Sequence, residues 1–219
     1  MSLRGAYPAD RAAALSGVPK STVHDWARKR VLVPSVSPAR VKLWSYSDLM
    51  GLRTIQWLRH DKKVPTGAEV PATSMPKVRR ALESLAALDV ALWTEESGPG
   101  VAVDRSGEVH LYARGSALTV EGQDSLDAEL LDLIRPFLVG RTAGPDLHAP
   151  RPKLRIVPGK LSGSPHVQRT RVETQALAAL SRRLSSERVY TLYPDVDRIA
   201  VDEALDLEWQ LESSLGNAA

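Results

Sequence analysis

The stretch Ala12-Ala13-Ala14-Leu15-Ser16-Gly17-Val18-Pro19-Lys20-Ser21-Thr22-Val23-His24-Asp25-Trp26 decides how the first quarter of the chain folds. Residues 8 to 16 read as a short helix with Pro8 in its first turn, and Gly17-Val18-Pro19 stops it. Ser21 is placed to cap a second helix that runs to about residue 30. On it, Val23, Trp26 and Ala27 fall at i, i+3 and i+4 and share a buried face. Two short helices on a tight turn form a helix-turn-helix.

After Pro34 and Pro38, the alternation of Ala39-Arg40-Val41-Lys42-Leu43-Trp44 predicts a small β-hairpin carrying two cations. Ser45 and Asp48 have capping-box spacing, and Leu49, Leu52, Ile55, Gln56 and Leu58 continue an amphipathic helix to about residue 60. Residues 61 to 74 hold two prolines and a glycine and read as a linker. A helix over 75 to 88 follows, then three short strands at 90–93, 101–103 and 108–112, with turns at Gly98-Pro99-Gly100 and Arg105-Ser106-Gly107. Leu126, Leu130, Leu133, Ile134 and Phe137 predict a further helix, and residues 140 to 152 a second linker. The last segment opens extended at 154–157, passes a Gly/Ser/Pro loop and ends in three helices near 173–184, 186–193 and 198–211. Val172, Ala176, Leu177, Leu180, Val189, Leu192, Val201, Ala204, Leu205 and either Leu207 or Glu208-Trp209 close one trihelical core. The expected fold is mainly α, α+β overall, with units at 1–60, 75–138 and 154–213.

The chain has 219 residues, no cysteine, 43% hydrophobic and 25% charged residues. Those values exclude a disulfide scaffold, a Cys-based metal site and a thiol nucleophile. No apolar run approaches the roughly 20 residues that span a bilayer, and the first residues lack the apolar stretch of a signal peptide. A cytoplasmic protein with no membrane partner is expected. Only one Phe accompanies five Trp and five Tyr, which favours several small modules over one large core.

The net charge of +3 conceals an uneven distribution: +7 over residues 1–60, −5 over 61–150 and +1 over 151–219. Clustered Lys and Arg in the first segment suit a polyanion, because release of counterions from phosphates needs local cation density. A solvated surface is the alternative. In the last segment Arg151, Lys153, Arg155, Lys160, Arg169 and Arg171 come without an acid, whereas residues 195 to 212 hold seven acids and only Arg198.

The run Ala12 to Pro19, then Ser21-Thr22-Val23-His24-Asp25-Trp26, then Tyr46-Ser47-Asp48-Leu49 with Leu52, Ile55 and Leu58, resembles the MerR-like winged helix-turn-helix. That resemblance implies double-stranded operator DNA as a partner and a groove-facing set of Ser21, Thr22, His24, Asp25, Arg28 and Lys29, with Arg40 and Lys42 on the wing. These are also the positions left over once the Trp26 face is buried, and short polar or basic side chains suit base edges and phosphates. Asp25 must accept from a cytosine amine, pair with Arg28 or Lys29, or be repelled. Residues 163 to 172, Gly-Ser-Pro-His-Val-Gln-Arg-Thr-Arg-Val, then Leu184-Ser185, Tyr193-Pro194 and Ala204-Leu205, resemble a small bacterial domain written around a Gly-x-Pro-x-Ile-x-Gly-Thr-Arg-Ile loop. Arg169 stands where that loop has glycine. Together the two segments are similar to VapB-type antitoxins of high-GC bacteria, which implies a homodimer, autorepression and a PIN-like ribonuclease toxin as partner.

On that reading Lys160, Arg169, Arg171 and Tyr193 form the toxin-binding set. The cations have alternatives, a second DNA segment or pairing with Asp195, Asp197 or Asp202, and Tyr193-Pro194 also reads as a turn that ends a helix. An enzyme is the opposing class. The five histidines show no metal-binding spacing, there is no Gly-x-Ser-x-Gly elbow or phosphate-cradling loop, and neither Glu95-Glu96 nor Asp202-Glu203 converges on a substrate. We therefore expect no catalytic residue, no metal and no cofactor. A one-component, ligand-responsive regulator remains a third class, with the middle unit as its sensor.

Overall fold

The computed structural model describes residues 4–59, 62–63, 69–70, 72–114, 130–139 and 142–216. The fold is α+β, with small antiparallel sheets set among helices. Strand β1 (Tyr7–Pro8) leads into α1 (Ala9–Ser16) and α2 (Lys20–Arg28). Strand β2 (Leu43–Trp44) pairs back on β1 and feeds α3 (Tyr46–Arg59). Strands β3 (Lys62–Lys63) and β4 (Glu69–Val70) pair with each other ahead of α4 (Met75–Ala87). Strands β5 (Gly100–Asp104), β6 (Val109–Tyr112) and β7 (Leu130–Asp132) form a sheet in the order β6-β5-β7, and β8 (Phe137–Val139) and β9 (Thr142–Gly144) form a hairpin. The chain then runs through β10 (Leu154–Arg155), β11 (His166–Val167), α5 (Thr174–Ser181), α6 (Ser186–Leu192) and α7 (Arg198–Gly216).

Local chemistry explains most element ends. Gly17 takes a left-handed conformation at φ 73° and closes α1 with a bond from its N–H to Ala13 O, a backbone that favours glycine. Helix α2 starts behind Pro19 with no side-chain cap, so Ser21 lies inside the helix, two residues past the capping position expected of it. The capping box of α3 is formed: Ser45 N–H donates to Asp48 Oδ2 at 2.7 Å, and Asp48 N–H donates to Ser45 Oγ at 3.1 Å.

Several expectations are corrected. The hairpin at 39–44 has one strand only, because Leu43 and Trp44 find their partner in Tyr7 and Pro8; the loop returns through a single Ser37–Leu43 bridge. Residues 90–92 form a 3₁₀ turn instead of a strand, with Asp89 Oδ1 accepting from Ala91 N–H at 3.0 Å. The helix expected around Leu126 to Phe137 is absent from its described part, where β7 and β8 lie, and Leu126 falls outside the described residues. The supposed linker at 140–152 carries β9 and buries Leu147 and His148. Trp209 points outward at 70% exposure while Leu207 and Glu208 turn inward; Ala176 and Leu192 are also exposed.

Helix α3 is not amphipathic: every residue from Tyr46 to Leu58 is buried. That includes Arg53, which is fully buried and has no carboxylate in contact among the described residues. Its guanidinium donates to Ser16 O at 3.1 Å, Leu15 O at 2.8 Å, Leu133 O at 2.9 Å, Arg135 O at 2.6 Å and Pro145 O at 2.6 Å. All five of its N–H groups are used. Leu15 and Ser16 end α1, where carbonyls lack intrahelical partners and the helix dipole is negative, so a cation is favoured there. Burial pulls the Arg53 pKa down to about 10, which leaves it charged at neutral pH. Beside it, Gly17 and Gly144 touch through their backbones: a Cβ on Gly17 would lie 2.4 Å from Gly144 N, and one on Gly144 would lie 2.7 Å from Arg53 Nη2.

A second buried contact joins distant segments. Arg11 on α1 makes a bidentate pair with Glu208 on α7, at 2.7 Å for both bonds, and Thr174 Oγ1 also donates to Glu208. Replacing Arg53 with methionine would strand five buried carbonyls, and we expect an unfolding free energy lower by about 3–5 kcal/mol in urea titrations. Arg53→Met unfolding at the wild-type midpoint would refute this account of the junction.

Candidate nucleic-acid interface and partner face

Helix α2 buries Val23 and Ala27, with Trp26 half-buried beside them, which leaves Ser21, His24, Arg28 and Lys29 exposed and Thr22 half-buried. The face is therefore polar and cationic because the apolar positions are spent on packing against α1. Asp25 sits within it and resolves its own position by pairing: Arg28 Nη2 lies 2.5 Å from Oδ1 and Lys29 Nζ lies 2.8 Å from Oδ2. These hydrogen bonds hold the Asp25 carboxyl below the usual carboxylate range. Arg30 follows at φ 55° and is also exposed. In the loop before β2, Arg40 is exposed and Lys42 half-buried, beside three exposed valines, Val33, Val36 and Val41.

The four residues of the partner set are not equivalent. Lys160 is tied to Glu95, which also receives Arg169 N–H at 2.6 Å and stands 3.2 Å from His166 Nε2. Glu95 thereby holds the loop before α5 from across the fold, and these bonds keep its carboxyl below the usual range against the opposing effect of burial. Arg169 has φ 62°, the left-handed backbone a glycine would adopt, so the loop keeps its shape with arginine at that position. The side chains of Arg169 and Arg171 are exposed and make no ion pair among the described residues. Tyr193 ends α6 half-buried. Of the acids considered as partners for these cations, Asp197 pairs instead with Lys153 at 3.3 Å.

Two groups carried no signal in the sequence reading. Glu95 looked like one of two diverging acids, and its role rests on contacts more than 60 residues away. His148 is buried; its Nε2 lies 2.7 Å from Thr94 O and its Nδ1 3.3 Å from Arg114 Nη1. An arginine can only donate, so Nδ1 accepts, Nε2–H donates to Thr94, and the ring is neutral. Burial and the nearby Arg114 push its pKa down. Asp104, Glu108 and His110 bring ligand atoms within 4.8 Å of one another; Asp104 Oδ1 accepts from Ser106 N–H, Ser106 Oγ and Glu108 N–H in a turn, and Oδ2 stands 3.4 Å from His110 Nε2. No helix among the described residues is long and apolar enough to cross a membrane. Comparison with protein-family models, with curated proteins and with solved structures finds no match to this chain.

A histidine held neutral by the fold has a folded pKa below its unfolded value near 6.5, so its contribution to stability is present above that pH and is lost as pH falls through the folded pKa. We expect the urea midpoint to fall as pH drops below about 6.5, and less steeply in His148→Gln, which keeps a donor toward Thr94. Identical pH profiles for the two proteins would show that His148 does not titrate on unfolding.

Proposed function

We propose that the chain is an antitoxin that binds operator DNA through α2 and the loop carrying Arg40 and Lys42, represses its own operon as a dimer, and neutralises a PIN-like ribonuclease by protein contact. The observation that carries the DNA part is the outward set of Ser21, His24, Arg28 and Lys29 opposite the packed Val23–Ala27 face. Side chains of this kind on one helix face meet both base edges and phosphates in a major groove. Two heads on a dimer read half-sites a multiple of roughly 10 bp apart. The Asp25 pairs are exposed and of little worth to stability. Arg28 and Lys29 can therefore exchange that carboxylate for phosphate at small cost.

The partner reading rests on Arg169 and Arg171, whose exposed guanidinium groups suit the carboxylates of a metal-dependent nuclease site. A ligand-responsive regulator is the second reading. A cleft in the middle of the chain favours it.

With DNA from upstream of the chain's own reading frame, Arg28→Ala and Lys29→Ala should each weaken binding about tenfold in fluorescence anisotropy, and Lys42→Ala should lower the salt slope by about 1. Asp25→Asn should strengthen binding and steepen that slope. Weaker binding in Asp25→Asn would assign the carboxylate a base contact, and unchanged affinity in all three cation variants would remove α2 as the recognition element. For the partner, the Arg169→Ala/Arg171→Ala double variant should lose inhibition of the ribonuclease encoded beside it. Full inhibition would take these two arginines out of the interface.

A further inference from the structure

A cleft of about 760 Å³ lies beside β6, an outer strand of the three-stranded sheet. Its volume is in the range of small-molecule sites. Leu92 and Leu111 present apolar surface in it and are exposed at 46% and 49%, while Arg114, His148 and Arg155 supply the polar part. Glu96 is the one acid among the lining residues.

The two arginines differ in how their charge is met. Arg114 is held by Asp146 and donates to His148 Nδ1. Arg155 contacts no carboxylate among the described residues: Nε donates to Glu95 O at 2.9 Å, Nη1 donates to Pro152 O at 3.0 Å and Leu154 O at 2.7 Å, and Nη2 has no partner. Arg53, also paired with carbonyls alone, is fully buried and uses every N–H. Arg155 instead lines the cleft, half-buried and with a donor to spare among the described residues, together with a second guanidinium and a histidine kept neutral. With Nε and Nη1 spent on carbonyls, Nη2 is the group left to give a charge-assisted hydrogen bond to a carboxylate oxygen. Arg114 is neutralised by Asp146, so Arg155 is the one guanidinium of the cleft without an acid in contact among the described residues, and Glu96 on the wall brings the net charge of the site to about zero, which opposes a phosphate dianion more than a monoanion.

We propose that this cleft binds a small organic carboxylate with an apolar body, its carboxylate on the Arg155 guanidinium with Arg114 alongside, and its body against Leu92 and Leu111. This rests on the ligand-responsive reading and gives its cleft a ligand class, and it depends on neither the DNA nor the partner reading.

The test uses the full chain with benzoate as probe, benzamide as its neutral counterpart and phenyl phosphate as the dianion, read by saturation-transfer NMR and calorimetry. Benzoate should bind, with benzamide and phenyl phosphate each at least about tenfold weaker. Arg155→Met should lose benzoate binding by at least about tenfold. Because Arg155 also holds three carbonyls, Leu111→Glu serves as the second variant: it sits on an exposed strand position, leaves those bonds intact and should repel benzoate equally. No benzoate binding up to about 10 mM, equal binding of benzamide, tighter binding of phenyl phosphate, or unchanged affinity in Leu111→Glu would each overturn the assignment.

Discussion

One buried cation organises this structure. Arg53 lies in the middle of a helix covered on every side, and among the described residues it satisfies its guanidinium with five main-chain carbonyls and no acid. A desolvated charge without such bonds would be too costly to keep, so each carbonyl must be held in place by its own segment. Two belong to the end of α1, two to the turn between β7 and β8, and one to Pro145 after β9. The contact of Gly17 with Gly144 brings these segments close enough, since a single methyl group at either position would clash with main-chain atoms. The Phe137 ring, 5.6 Å from the guanidinium carbon, adds an aromatic face to the same site.

Around that point the polar contacts sort by burial. Arg11–Glu208 is enclosed and bidentate, and it fixes α1 against α7. Breaking one side of such a pair would leave a buried charge, so it acts as a structural tie. Asp25 with Arg28 and Lys29, and Arg182 with Glu212, are exposed pairs. They are weak and exchangeable, which suits surfaces that meet other molecules. The loop from Pro145 to His148 belongs to both regimes: its carbonyls receive Arg53 and Tyr46 on the inside, and His148 faces Arg114 in the cleft.

How much of this the sequence discloses follows from range. Helices α1 to α3 are legible because their signals are local: Gly17 stops one, Val23 and Ala27 mark a face, and Ser45 with Asp48 spell a cap. The three C-terminal helices are legible for the same reason. The apolar spacing at Leu130, Leu133, Ile134 and Phe137 suggests a helix, yet β5 offers hydrogen bonds to β7, and pairing outweighs periodicity. Residues 140 to 152 read as a linker because they are rich in Pro and Gly, although Gly144 is there for close contact. Arg53 reads as an ordinary charged residue in a helix, and nothing nearby in sequence announces carbonyls as far away as residue 145. The exposed cations of α2 are visible as leftovers of packing, whereas Glu95 and the cleft depend on pairings across many tens of residues.

The Arg53 arrangement also bears on portability. Engineers often transplant a helix-turn-helix as a self-sufficient cassette. Here, a cassette ending at residue 59 would take the guanidinium along with only Leu15 and Ser16 of its five acceptors, leaving the other three behind. The graft would have to supply a replacement for the segment from 133 to 145, or exchange the arginine for an apolar residue that covers the place where Gly17 met Gly144. What looks like the most modular part of the chain is, in construction terms, the part least able to travel alone.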